Sequence, residues 1–294
     1  MILVTGSSGL IGRHLTAYLR LSGIQVRPFD VQRSAFEDIR NRQALEDAIE
    51  GVEGVVHLAA VSRIQWAQRQ PDLCDGVNVG ALETLLKLCL ATKHRPWIIF
   101  ASSREVYGQA TLLPVKEGAA FRPRNVYAQS KVEGERLIAE AANAGLQTSI
   151  CRFSNVYGCI GDHSDRVVMA FTHAALAGGD MRVEGPQSVF DFTAIGDVVD
   201  GLSRLIELVR SGEHPPPIHF VSGVPTSLIE LAELVANRVS NPTSIVLAPP
   251  RFMGVSRFIG DPDNTARLLG WRASTPIGIG IARLLETMRA DKVS

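Results

Sequence analysis

The sequence predicts an α/β fold: a doubly wound parallel sheet with helices on both faces. Three observations carry this. Short runs rich in β-branched residues alternate with stretches at helical spacing through the first half of the chain. These runs are continuously apolar, as strands buried on both faces must be. The first run also leads straight into a glycine-rich turn and then a helix, which is how a βαβ unit opens.

Ile2-Leu3-Val4 is the first strand. The helix from Leu10 to Leu21 follows, with Ile11, Leu15, Tyr18 and Leu19 on one face. Gln25 to Phe29 is the second strand. Gly54 to Leu58 and Trp97 to Phe100 are further buried strands, separated by a helix around Leu82 to Leu90. Val126 to Ala142 is helical by pattern, and Ser149 to Phe153 returns to strand. Beyond about residue 155, loops such as Gly178-Gly179 and Pro215-Pro216-Pro217 become frequent. Helices around Val198 to Arg210 and Leu228 to Val239, with strands at Pro217 to Val221 and Ile245 to Leu247, form an interleaved second lobe.

Composition narrows the function. The chain has 294 residues, 46% hydrophobic and 20% charged, which fits a folded globular protein. Thirty basic residues balance thirty acidic ones, leaving no surplus charge to bind nucleic acid or an anionic membrane. Four cysteines make no C-x-x-C pair, so neither a disulfide scaffold nor a zinc site is expected, and no metal is implied. The chain opens on a strand rather than a signal peptide and contains no run of eighteen apolar residues. A cytoplasmic protein is expected.

Thr5-Gly6-Ser7-Ser8-Gly9-Leu10-Ile11-Gly12 joins the first strand to its helix. Glycines allow a tight turn and close approach to a pyrophosphate, whose charge sits at the positive helix N-terminus. Asp30 ends the second strand, where a carboxylate accepts both adenosine ribose hydroxyls and repels a 2′-phosphate. It favours NAD over NADP, with Arg27 and Arg33 nearby as opposing charges. These features predict a dinucleotide-binding domain over residues 1–155, to which about 193–222 return. Residues 156–294 are mostly a smaller substrate lobe.

Tyr127-Ala128-Gln129-Ser130-Lys131 places a phenol and an ammonium one helical turn apart. A neighbouring lysine is expected to lower the phenol's pKa and make it a usable base near neutral pH.

The T-G-x-x-G-x-x-G spacing, with this Y-x-x-x-K, resembles the extended short-chain dehydrogenase/reductase family, with a Rossmann-like fold and mostly nucleotide-sugar substrates. Asp38-Ile39 is similar to the family's pair beside adenine, and His57-Leu58-Ala59-Ala60 to its H-x-A-A turn. Asn78-Val79 resembles the dipeptide that opens the next helix. The resemblance assigns Gly6, Ser8, Gly9, Leu10, Ile11, Gly12, Asp30, Asp38, Ile39, Leu58, Ala59, Ala60, Asn78, Tyr127 and Lys131 to NAD, and a structural role to His57. Only seven residues separate Asp30 from Asp38, fewer than in relatives, so the third strand is expected to be very short or absent.

Ser102-Ser103-Arg104-Glu105-Val106-Tyr107-Gly108 resembles the family's S-[ST]-x-x-V-Y-G, which makes Ser103 the partner of Tyr127 and Lys131. In related 4,6-dehydratases the positions of Arg104 and Glu105 are Asp and Glu. Glu105 leans towards carbon acid–base chemistry. Arg104 cannot be a general acid, but it can hold a carboxylate or oxyanion. Arg152-Phe153-Ser154-Asn155-Val156-Tyr157-Gly158 is similar to R-x-x-N-V-Y-G, whose Asn reaches the sugar diphosphate. The expected substrate residues are Ser62, Ser103, Arg104, Asn155 and Arg251. Phe190 stands where relatives carry a phosphate-binding Arg, with Arg251 or Arg257 as its substitute. Trp271 is expected to pack the C-terminal helix.

The resemblance implies an NAD-dependent nucleotide-sugar epimerase or dehydratase working through a 4-keto sugar. Its apolar faces at Leu82-Leu85-Leu86-Leu88-Cys89 and Val132-Leu137-Ile138 imply a homodimer. A net NAD(P)-dependent reductase or dehydrogenase and a non-catalytic dinucleotide sensor are the alternatives.

Overall fold

The computed structural model describes residues 1–250 and 255–291. Its central sheet runs β2 (Val26–Phe29), β1 (Ile2–Thr5), β3 (Gly54–His57), β4 (Trp97–Ser103), β5 (Thr148–Phe153) and β9 (Ile218–Phe220), in that spatial order. All five pairings are parallel. Every residue of β1, β3, β4 and β5 is buried, which is why these runs carry no polar alternation.

Helices α1 (Leu10–Leu21) and α8 (Ile195–Arg210) cover one face, packing Leu15, Leu19 and Leu202 against Val56, Ile99 and Phe220. The other face is covered by α2 (Arg42–Ile49), α5 (Ala81–Ala91) and α6 (Val126–Asn143), with Leu45, Leu82, Leu85 and Ile138 on Ile98 and Phe100. Each such side chain contributes about 1.5–3 kcal/mol by leaving water. Trp271 belongs to the first core, its ring tilted at 59° to that of Phe220 at 5.3 Å and packed against Gly201, so it does not pack the C-terminal helix as expected.

Between β2 and β3 no strand forms. A single 3-10 turn at Ala35–Glu37, capped by the Ser34 hydroxyl, replaces it, and β2 becomes an edge of a six-stranded sheet. After β3 come the short helices α3 (Ile64–Arg69) and α4 (Pro71–Asp75). One π turn, Gly76–Gly80, joins α4 to α5, so Asn78 lies inside a continuous helical run instead of opening a helix.

The residues expected to form a subunit face are mostly core. Leu82, Leu85, Leu86, Leu88, Cys89 and Ile138 are buried within the single chain, and only Val132 and Leu137 are half-buried. Helix α5 is apolar nearly all round because it packs on the sheet and on two neighbouring helices.

The smaller lobe has its own core. Strand β8 (Val189–Ala194) lies between β6 (Asn155–Tyr157) and β10 (Pro225–Ser227), while β7 (Met181–Glu184) pairs with β11 (Ile245–Ala248). Phe171 of α7 (Val167–Leu176), Leu231 of α9 (Leu228–Ala236) and Leu284 of α11 (Ile277–Asp291) close over Met181 and Phe192. Ser227 and Glu230 cap α9 reciprocally. Helix α10 (Asp263–Leu269) is tied to the main sheet, its Thr265 hydroxyl donating to the His219 carbonyl at 2.6 Å.

The turn after β1 is shaped by close approach. Gly6 has φ +67°, and a Cβ there would meet the Ala59 backbone at 2.6 Å. A Cβ at Gly12 would lie 2.1 Å from the Gly6 carbonyl oxygen. Gly12→Ala must therefore push α1 away from the turn. The expected loss is about 1–3 kcal/mol of stability, with at least tenfold weaker NAD binding. An unchanged melting temperature together with unchanged NAD affinity would refute this account of the turn.

Candidate active site

The carboxyl ends of the parallel strands open into a cleft of about 730 Å³. It is lined at one end by Gly6, Gly9, Leu10, Ile11, Gly12, Asp30, Asp38 and Ile39, and in the middle by Leu58, Ala59, Ala60 and Ser62. Ser103, Arg104, Glu105, Tyr127, Lys131 and Asn155 line the other end. Ser8 and Asn78 do not line it. The Ser8 N–H donates to Asp30 at 2.9 Å. The Asn78 amide accepts from Val61 N–H at 2.8 Å and donates to the Ser130 hydroxyl at 2.9 Å, so its work is to hold the Val61 turn. Arg257 is exposed and away from the cleft, and Arg251 lies outside the described residues.

These residues fit a dinucleotide. The N-cap of α1 is Gly9, which has no side chain to cap the first N–H groups and leaves them for an anion. Asp30 is fixed by the N–H groups of Ser8 and Gln32. Glu37, which no motif flagged, also lines the cleft and accepts from the Asp30 N–H at 3.0 Å. The two arginines expected to oppose Asp30 are engaged elsewhere. Arg27 donates to the Asp47, Ala48 and Glu50 carbonyls, and Arg33 pairs with Glu37 at 3.3 Å. Asp38 is held below the usual carboxylate range by its hydrogen bonds from Arg40.

At the reacting end, Asn125 caps α6 by accepting from Ala128 N–H at 2.8 Å, which places Tyr127 in the first turn. The Tyr127 phenol and Ser103 face the cleft together, and the Ser103 hydroxyl acts to lower the phenol's pKa. Lys131 sits one turn on, its Nζ donating to the Ala101 carbonyl at 2.7 Å and lying 5.8 Å from the Tyr127 ring centre. Contrary to the sequence expectation, the phenol is pushed up to about 12, because burial outweighs the Ser103 hydroxyl and the Arg166 charge. Burial likewise brings Lys131 down to about 8. Near neutral pH the phenol is therefore protonated and the lysine still charged, and added positive charge there would favour the phenolate.

Glu105 is buried and pairs with Arg104 at 3.0 Å, while the Asn125 amide donates to its second oxygen at 3.3 Å. Behind this site lies a buried ion pair. Arg152 donates to both Glu135 oxygens, at 2.8 and 2.6 Å, and Glu135 also accepts from the Ser102 hydroxyl. Arg152 continues to the Tyr107 hydroxyl at 2.6 Å, which meets His219 at 2.6 Å. His57 is structural, as expected: its Nδ1 lies 2.9 Å from the Thr5 hydroxyl and it is 1% exposed.

The cleft rim was not legible in motifs. Arg63 pairs with Asp165 at 2.6 Å, Arg166 with Asp162 at 3.3 Å, and Trp66 meets His163 edge-on. Trp66 lies on the short helix α3 and the others on the segments flanking α3 and preceding α7, too short for a helical period to show. Among the described residues no His, Cys, Asp or Glu cluster is arranged for a metal.

A dinucleotide cleft ending in a Ser–Tyr–Lys set defines the extended short-chain dehydrogenase/reductase class. The model of the NAD dependent epimerase/dehydratase family matches residues 2–223, and the chain belongs to this family. The family's cofactor is NAD. A UDP-glucose 4-epimerase of Halalkalibacterium halodurans is 26% identical over 94% of this chain and 91% of its own length. UDP-glucuronate 4-epimerase 2 of Arabidopsis thaliana is 32% identical over 68% of this chain and 52% of its own length. Among solved structures, MoeE5 in complex with UDP-glucuronic acid and NAD superposes with a TM-score of 0.91 at 27% identity, covering 99% of both chains. TunA, an NAD-dependent NDP-hexosamine 5,6-dehydratase of tunicamycin biosynthesis, has a TM-score of 0.89 at 30% identity, covering 98% of this chain and 97% of its own.

With Asp30 and Glu37 side by side, calorimetry should show NAD binding at least tenfold tighter than NADP, a difference of about 1.4 kcal/mol. Equal or reversed affinities would remove Asp30 from that role. A second expectation concerns two of the seven histidines, His57 and His219. Burial holds each down to about 3, so the unfolded chain binds more protons between about pH 6.5 and pH 3. Their contribution to stability is complete above pH 6.5 and falls as the pH drops through that window. Their ring resonances should not shift between pH 8 and 5. Titration of either near pH 6.5 would contradict the burial described.

Proposed function

We propose that the protein is a UDP-sugar 4-epimerase. The observation that carries this reading is the state of Glu105. Its carboxylate is held between the Arg104 guanidinium and the Asn125 amide, which leaves Tyr127 with Ser103 as the proton-transferring pair. Bound NAD supplies the hydride acceptor for C4 and the donor for its return. Ser103 orients the C4 hydroxyl, and the Tyr127 oxygen takes its proton. Lys131 stabilises the phenolate by its charge. The same phenol returns the proton when C4 is reduced from the other side, so inversion at C4 needs no carbon base. Asp30, Asp38, Ile39 and the Gly6–Gly12 turn hold the dinucleotide, while Ser62, Arg104 and Asn155 face the sugar nucleotide.

A dehydratase is the second reading, favoured by a buried Glu105 next to the reacting pair and by the likeness to TunA. It requires the ion pair with Arg104 to open. The separate cores support a division into a dinucleotide domain over 1–155 with about 193–222, and a substrate lobe over most of 156–294. Half-buried Val132 and Leu137 on α6 support a homodimer through that helix. Four free cysteines support a reducing, cytoplasmic setting. Among the described residues no helix is long and apolar enough to cross a membrane.

Tyr127→Phe should lower turnover by about 10²–10⁴-fold, the usual worth of a general base. Glu105→Gln separates the readings. In a 4-epimerase it leaves turnover within a few-fold of wild type. In a dehydratase it stops product while transient NADH absorbance at 340 nm persists. Wild-type turnover in Tyr127→Phe would overturn the mechanism, and a product-dead Glu105→Gln that still forms NADH would move the assignment to elimination.

A further inference from the structure

We infer that Arg104 is the substrate pocket's oxyanion receptor; this rests on the UDP-sugar reading above. Its guanidinium is fixed on three sides. Nε donates to the Asn155 amide oxygen at 3.3 Å, and Nη2 pairs with Glu105 at 3.0 Å. The guanidinium carbon lies 4.8 Å from the Phe190 ring centre and 5.8 Å from that of Phe258. The two aromatic rings hold the charge by cation–π contact while its N–H groups stay available to polar partners. Among the described residues Nη1 has no hydrogen-bond partner although it is buried.

A buried guanidinium with spare N–H groups is costly unless an acceptor completes it. The side chain is 12% exposed and lines the cleft, so that acceptor can come from a bound ligand. Glu105 already cancels one unit of charge, and what remains is directional: the Nη1 donors, suited to an oxygen of a carboxylate or phosphate. Arg104 directly follows Ser103, and both line the cleft with Tyr127, so the guanidinium lies beside the proposed reacting pair. It also touches Asn155 at the start of β6. Two oxyanions of a sugar nucleotide meet these conditions: a carboxylate on the sugar and the diphosphate.

Calorimetric titration of the NAD-loaded protein with UDP, UDP-glucose and UDP-glucuronate tests the receptor. The proteins are wild type, Arg104→Gln and the double variant Arg104→Gln/Glu105→Gln. The double variant removes the unpaired Glu105 charge that would itself repel anions. The expected result is at least about a tenfold rise in Kd in both variants. Loss confined to UDP-glucuronate identifies the sugar carboxylate as the guest. An equal loss for all three, UDP included, identifies the diphosphate. Wild-type affinities in the double variant overturn the receptor and attribute any loss in the single variant to Glu105. A wild-type protein that binds none of the probes overturns the UDP-sugar reading itself.

Discussion

The geometry of the reacting end depends on an ion pair that never touches the cleft. Glu135 and Arg152 are 5% and 4% exposed, and isolating either charge there would cost about 3–5 kcal/mol. The pair is sustained because its remaining valences are filled by Ser102, by Tyr107 and by the Glu117 carbonyl. Ser102 precedes Ser103 on β4, and Glu135 lies one turn past Lys131 on α6. Strand and helix are thus pinned at the level where the hydroxyl, phenol and ammonium must meet. Precision at the site is a property of the layer behind it.

That placement explains an otherwise awkward electrostatic state. Burial drives the phenol up to about 12 and the ammonium down to about 8, so near neutral pH the phenol stays protonated while the lysine keeps its charge. Proton removal is favoured when positive charge adjoins the phenol, which couples base strength to occupancy of the cleft.

What the sequence made legible was local. The strand–turn–helix at the N-terminus, the buried strands and the Tyr127–Lys131 spacing depend on residues within a turn or two of each other. The absent third strand was legible too, because seven residues cannot form both a crossover and a strand. What escaped was set by distant contacts. Arg104 meets Asn155 across 51 residues and Asn78 meets Ser130 across 52. The Arg63–Asp165 pair on the rim likewise joins separate loops. Helical periodicity revealed apolar faces on α5 and α6 but not which neighbour covers them, and a predicted subunit face proved to be mostly core.

The missing strand leaves β2 as an open border, and open borders recruit other chains. Carbonyls of Gln25 and Phe29 accept from β1 and the turn beyond it, so odd-numbered residues turn inward and Pro28 turns outward. Proline has no N–H to offer on that outer side. An incoming strand would find its hydrogen-bond ladder broken in the middle of a four-residue edge. One imino acid thus keeps a shortened sheet from becoming a template for edge-to-edge aggregation.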